Sequence, residues 1–290
     1  MATDKKADGL KKICALTMVR NDEFFLRKWI SYYEKQLGRE NLYIYFDGTD
    51  QVIPEFTKGT NVLVCEHINV DVKIGEKRRA KTLSEEAARL LDRYDMVIGT
   101  DVDEFLAADP ATGMGLREFL SHQKIGNTIS GLGMDVGQVL EQEGDIDPSR
   151  PYLRQRKYAA VYPRYSKPSV LATKCRWGSG IHRVKGKNFH IVKDLYLFHF
   201  GGFDFTRLKS KMTDQELLDN GWGRHMRKRA ATIYTVTDIV NRGGTWKWNT
   251  ATKVLRRMQQ LCRPIFAWNK PTVFGIKAIV EIPERFRDLI

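Results

Sequence analysis

Two aspartates one residue apart, Asp101 and Asp103, follow the apolar run Met96-Val97-Ile98-Gly99-Thr100 and precede Glu104 and Phe105. On an extended backbone, residues two apart point to the same side, so the spacing predicts that both carboxylates face one site while Val102 turns inward. Carboxylate oxygens suit hard divalent cations, Mg²⁺ or Mn²⁺, which keep open positions for substrate phosphates. The carboxyl edge of an α/β sheet is where such ligands gather. The pattern points to chemistry on a phosphorylated or diphosphorylated substrate. The competing account is a charged, solvated loop capping a strand. Against it stand the apolar run before the acids and the immediate return to the core at Phe105-Leu106.

A second charged feature is the run Lys77, Arg78, Arg79 and Lys81. Placed just before a helix start, such cations combine with free helix N–H groups to hold phosphates, and Arg78 is the candidate donor contact. The acidic stretch 141–147 supplies Glu141, Glu143, Asp145 and Asp147 as candidate proton acceptors, beside Asp135, which directly follows an expected strand.

The elements that must position these groups alternate. An apolar strand is expected over 13–18, then a helix over 21–36 with Asn21 or Asp22 as N-cap and Gly38 as stop. Strands follow over 42–46 and 61–65, and Thr82 with Glu85 reads as a capping box for a helix through Leu91. The strand leading to Asp101 comes next. This alternation predicts an α/β fold with a mainly parallel central sheet and helices on both faces. Beyond residue 110 the expected pattern is a helix over 116–122, a strand over 128–134, short strands between 152 and 200, and helices over 204–218 and 222–240. The expected division is a domain of residues 1–220, with a donor half at about 10–110 and an acceptor half at about 111–220, followed by a basic, helical and aromatic C-terminal extension over 221–290.

Composition narrows the class. The chain has 290 residues, 42% hydrophobic, with a formal net charge of +13, enough to bury one substantial core. Residues 201–290 hold 17 Lys and Arg against 8 Asp and Glu, so the partner of this region is expected to be anionic. Its tryptophans, Trp222, Trp246, Trp248 and Trp268, suit peripheral contact with an anionic membrane, or equally the packing of a helical appendage. No uncharged apolar stretch reaches about 18 residues, and the first residues lack an apolar segment of the secretory kind. A cytoplasmic protein is expected, with the inner face of the plasma membrane as the place of any peripheral contact. Cys14, Cys65, Cys175 and Cys262 are scattered, which argues for reduced structural thiols rather than a disulfide or zinc framework.

Five segments taken in order, ICALTMVRNDEFFLRKWISYYEKQLG, LYIYFDGTD, GTDVDEFL, SKPSVLATKCRWGSGIH and LFHFGGFDFTRLKSK, resemble glycosyltransferases of the GT-A fold, in particular family 2-like and family 92-like enzymes. The resemblance spans roughly residues 13–211. It implies a GT-A-type nucleotide-sugar-binding fold and a hexosyltransferase, inverting, that moves a sugar from a nucleotide diphosphate donor, UDP-sugar favoured, to a glycan or lipid-linked acceptor hydroxyl in bacterial surface polysaccharide synthesis. It further implies that Thr17, Val19, Arg20, Asp47 and Asp101 hold the donor, that Asp101, Asp103 and His199 hold Mn or Mg, and that Trp177, Ser179 and His182 line the acceptor pocket. The Glu-Asp base signature usual in family 2 is missing, which leaves Asp135, Glu141, Glu143, Asp145 and Asp147 as candidate bases, Asp135 first among them, and retention of configuration open.

Two other classes compete. A haloacid dehalogenase-like Mg-dependent phosphatase also ends a strand in DxD, but there the motif opens the domain and continues into Gly-Thr. A nucleic-acid-binding protein is suggested by the pI of about 9.5 and the segment His225-Met226-Arg227-Lys228-Arg229. No recognisable nucleic-acid-binding motif accompanies it, and the paired acids would repel phosphate without a metal. Nucleic acid is not the expected partner.

Overall fold

Seven consecutive residues, Ile13–Val19, are buried, as a strand covered on both faces requires. Ile13, Ala15 and Val19 pack in one apolar cluster with Phe25, Trp29 and Tyr33, whereas Cys14, Leu16 and Met18 pack in another with Leu83, Ala87 and Leu90. The period-two alternation of one strand thus sets a helix against each face of the sheet.

The computed structural model describes residues 9–124, 126–184, 190–262 and 278–290; Trp268 of the aromatic tail lies outside them. Its strands are β1 (Ile13–Val19), β2 (Leu42–Asp47), β3 (Asn61–Cys65), β4 (Met96–Gly99), β5 (Glu104–Ala108), β6 (Thr128–Gly137), β7 (Tyr158–Val161), β8 (Val170–Leu171), β9 (His190–Gly202) and β10 (Ala278–Glu281). Its helices are α1 (Glu23–Leu37), α2 (Val72–Leu90), α3 (Leu116–Ser121), α4 (Tyr152–Gln155), α5 (Phe205–Met212), α6 (Gln215–Asp219), α7 (Gly223–Asn241) and α8 (Trp248–Leu261).

The sheet runs β10-β7-β6-β8-β4-β1-β2-β3, with β9 pairing β6 and β5 off this path. The half β4-β1-β2-β3 is parallel, and β8, β7 and β10 continue it antiparallel. The fold is mixed α/β. The chain steps outward from β1 to β2 and β3, then crosses back to place β4 on the other side of β1. The order reverses there, and a crevice opens beyond the carboxyl ends of β1 and β4.

Local signals account for α1: the Asp22 carboxylate accepts from the Phe25 amide at 3.3 Å, and Gly38 stops the helix at φ +89°. The second helix departs from expectation. It starts at Val72, capped by Asp71, whose carboxylate accepts from the Lys73 amide at 2.9 Å. Thr82 and Glu85 therefore lie inside it, and the run 77–81 sits in mid-helix without free N–H groups. Its first two turns border the crevice instead of the core, so no apolar stripe marks their start.

The described residues from 221 onward are built into the same core. Trp248, Ala251, Leu255, Ala278, Val280 and Phe286 belong to the main apolar cluster, and Val236 of α7 packs with Val139, Ala160 and Ile279. They also add a strand, β10, to the sheet edge, beyond the basic, helical and aromatic extension that the sequence suggests. No helix among the described residues is long and apolar enough to cross a membrane.

Candidate functional site

The DxD segment is held from below by the core. Thr17 donates from Oγ1 to the Thr100 carbonyl at 3.0 Å, and Trp29 Nε1 donates to Thr100 Oγ1 at 3.0 Å. The chain then turns: the Glu104 amide donates to the Asp101 carbonyl at 3.0 Å. Asp101 and Asp103 thus stand on a tight turn between β4 and β5 rather than on an extended strand. Both still face one cleft of about 900 Å³ at the crevice, shared with residues from the ends of β1, β2 and β3, from α2, and from α7.

The two acids have separate company. Asp101 Oδ2 accepts from Lys167 Nζ at 2.7 Å, and Arg79 Nη2 lies 2.8 Å from Oδ1, an ion pair out of line for a hydrogen bond. Burial works against ionising Asp101, but Arg79 and Lys167 outweigh it and hold the carboxyl well below the usual range. Lys167, itself buried, also pairs with Glu104 at 2.6 Å. Burial raises Glu104 to about 7, with Lys167 pulling the other way and the Asp101 charge adding to the rise.

Asp103 faces His199 and Arg229 instead. Its Oδ2 is 3.2 Å from Arg229 Nη2 and 3.6 Å from His199 Nε2. Burial opposes its charge, yet His199 and Arg229 bring it below the ordinary value. Strand register delivers the neighbours: β9 places His199 opposite Glu104 of β5 and opposite Asp135 of β6. His199 Nδ1 is 2.7 Å from Asp135 Oδ1, Thr232 Oγ1 donates to Asp135 Oδ2 at 2.8 Å, and the Tyr165 ring stacks on the imidazole at 3.7 Å.

These contacts decide which residues suit a divalent ion. Asp101 has both oxygens committed to cations and does not fit as a direct ligand. Asp103 and His199 are the better candidates, with Oδ2 and Nε2 3.6 Å apart, although Arg229 donates to the same Oδ2 at 3.2 Å and would have to yield to an ion. A carboxylate only accepts, so in the neutral ring the Asp135 contact places the proton on Nδ1 and leaves the Nε2 lone pair facing Asp103. Among the described residues no group of three His, Cys, Asp or Glu side chains closes a metal cage. Two protein ligands leave the remaining positions to phosphate oxygens, the habit of Mg²⁺ sites.

Of the other expected site residues, Val19, Arg20, Asp47, Arg78, Ser179 and His182 line the cleft. Arg20 donates to the Asp47 carbonyl at 2.8 Å and pairs with Asp50. Asp47 Oδ2 is 3.1 Å from His67 Nδ1. Thr17 lies beneath the floor. Trp177 is a core residue, 4% exposed, with its indole N–H on the Pro168 carbonyl at 2.8 Å. Its ring fills the space that a Cβ on Gly99 would occupy, so it offers no face to an acceptor.

The acidic stretch does not line the cleft, and three of its four acids hold local structure. Glu143 accepts from the Val139 and Lys157 amides, Asp145 from Thr206, and Asp147 from Ser149. Asp135 reaches the cleft, but with both oxygens engaged it positions His199 rather than standing free as a base. The C-terminal basic segment is also redirected: Trp222, His225, Lys228 and Arg229 line the cleft, and Trp248 is buried.

Sequence reasoning missed Lys167, Arg229, Tyr165, Thr232 and His67. Lys167 offered one signal, a lysine inside an otherwise buried run before β8. The others are separated from their partners by too much chain for spacing to connect them.

Neither a family model nor a curated protein matches the chain. Among solved structures it is similar to mannose-1-phosphate geranyltransferase from Thermus thermophilus, at 10% identity and a TM-score of 0.28, over 76% of this chain and 64% of that one. The chain thus spans less than two thirds of that protein, and a likeness this slight assigns neither substrate nor residue.

Proposed function

We infer that the cleft binds a nucleotide diphosphate sugar and transfers its sugar to an acceptor hydroxyl, as a metal-dependent glycosyltransferase of GT-A type. The observation that carries this reading is the position of Asp103, His199 and Asp135 on the floor of a cation-rich cleft at the strand-order reversal. Eleven Lys and Arg against eight Asp and Glu line it. The surplus is positive charge, suited to a diphosphate.

A divalent ion held by Asp103 and His199 would supply neutralisation of the charge that collects on the departing diphosphate. The chain's own groups do the rest. Asp135 fixes the His199 ring through Nδ1, and Thr232 and the Tyr165 ring keep that pair in place. Arg79 and Lys167 neutralise Asp101 so that a second bare carboxylate does not repel the phosphates. Arg78, Lys77, Arg183, Arg164 and Lys228 add further positive charge to the lining. The Arg164 charge, with some desolvation and Arg224, lowers the Lys228 amine below its ordinary value.

The test is a panel of nucleotide sugars with Mn²⁺, read by thermal stabilisation and by release of the nucleoside diphosphate, for the wild type and Asp103→Ala. At least one donor should stabilise the wild type and be turned over, and Asp103→Ala should lose both effects. No response to any donor defeats the reading.

A further inference from the structure

His67 stands where the ends of β2 and β3 meet the cleft, two residues past Cys65, which pairs with Asp47 in the sheet register. Hydrogen bonds tie the two strand ends beside it. The Gly48 amide donates to the Cys65 carbonyl at 2.9 Å, and Arg20 donates to the Asp47 carbonyl at 2.8 Å. The Asp47 carboxylate is shared between His67 Nδ1 at 3.1 Å on Oδ2 and the Cys65 thiol at 3.9 Å on Oδ1. Part of the acceptor capacity of the group expected to read the nucleoside directly is thereby taken up.

The imidazole takes its place. A carboxylate only accepts, so the Asp47 contact places a proton on Nδ1, and with the ring neutral Nε2 is presented as an acceptor. That Nε2 is buried with no hydrogen-bond partner among the described residues. Buried polar atoms are ordinarily satisfied, and a standing exception in a cleft wall asks for a ligand group. A surface Asp–His pair with no further role would leave the second nitrogen in water.

Resting on the donor reading above, we propose that His67 Nε2 accepts a hydrogen bond from a ring N–H of the donor's base and thereby selects uracil or thymine over cytosine. Uracil and thymine carry a hydrogen on N3, whereas cytosine has a lone pair there. Cytosine would face Nε2 acceptor to acceptor and leave both atoms unpaired, a mismatch that hydrogen-bonding sites reject strongly. Asp47 acts as a positioning residue that fixes the ring's tautomer.

The experiment is titration calorimetry of the full chain with UDP, CDP and inorganic pyrophosphate in the presence of Mn²⁺, for the wild type, His67→Phe and Asp47→Asn. UDP should bind the wild type at least about tenfold more tightly than CDP. In His67→Phe the UDP preference should fall to within about threefold while pyrophosphate affinity is unchanged, which shows the phosphate end intact. Asp47→Asn should also reduce the preference, because the amide no longer dictates the tautomer, and it decides the matter if His67→Phe loses pyrophosphate. Equal affinity of UDP and CDP in the wild type, or a preference that survives both substitutions, overturns the assignment of His67 alone. Failure of all three probes to bind the wild type overturns the donor reading and this assignment with it.

Discussion

Replacing Lys167 by methionine keeps the stem's volume and deletes one buried ammonium. That group lies 2.7 Å from Asp101 and 2.6 Å from Glu104, at 1% exposure. Asp101 retains Arg79, but Glu104 loses its ion-pair partner in an environment that already raises it to about 7. Breaking a buried ion pair by removing one member costs about 3–5 kcal/mol. Unfolding entropy of roughly 2.1 cal/mol/K per residue, over 290 residues, turns this into a fall in Tm of about 5–8 °C. Glu104 caps the loss by taking up a proton, so the deficit is largest above neutral pH and shrinks below it. Differential scanning calorimetry at pH 8 and pH 6 measures both effects. The double variant Lys167→Met/Glu104→Gln removes the stranded charge and should recover at least half of the loss. A single variant that melts within about 2 °C of the wild type, or a double variant less stable than the single, refutes the reasoning.

Three further outcomes follow from the same contacts. Asp135→Asn should weaken Mn²⁺ binding in the presence of UDP about 10–100-fold by titration calorimetry, because the His199 ring loses the partner that orients it. Trp177→Ala should cost about 3–5 kcal/mol in chemical denaturation with donor affinity unchanged in the folded protein; a selective loss of acceptor saturation would restore it to the acceptor pocket. For Glu104 the folded pKa stands above the unfolded 4.5, at about 7. The native state therefore holds the extra proton between these values, and stability falls as pH rises through that window. Glu104→Gln should flatten that fall in urea melts run from pH 4.5 to 7.5.

The parallel half of the sheet was legible because its information is local. The run 13–19 is apolar at every position but Thr17, and Asp22 and Gly38 bracket α1 with a cap and a stop. The start of α2 was not, since its first turns face the cleft and carry charge in place of an apolar stripe. The acids of the site were visible as a pair, whereas their cations were not: Lys167 and Arg229 lie 66 and 126 residues away from the carboxylates they meet. Spacing along a chain reveals groups on one turn; it does not reveal which distant charge the fold brings to them. Trp177 misled for a related reason. A tryptophan among glycines suggests an open sugar platform, but Gly99 on the neighbouring strand leaves the room in which its ring is buried. The tail looked appended because its strand, β10, finds its partner β7 more than a hundred residues upstream.

The most direct test of the central claim is an anomalous difference map from crystals grown with Mn²⁺ and UDP. One strong peak is predicted, bonded to Asp103 and to His199 Nε2, with diphosphate oxygens completing its shell and Asp101 still paired with Lys167 and Arg79. A manganese bound through Asp101, or a diphosphate seated in the cleft with no ion at Asp103, would contradict that claim.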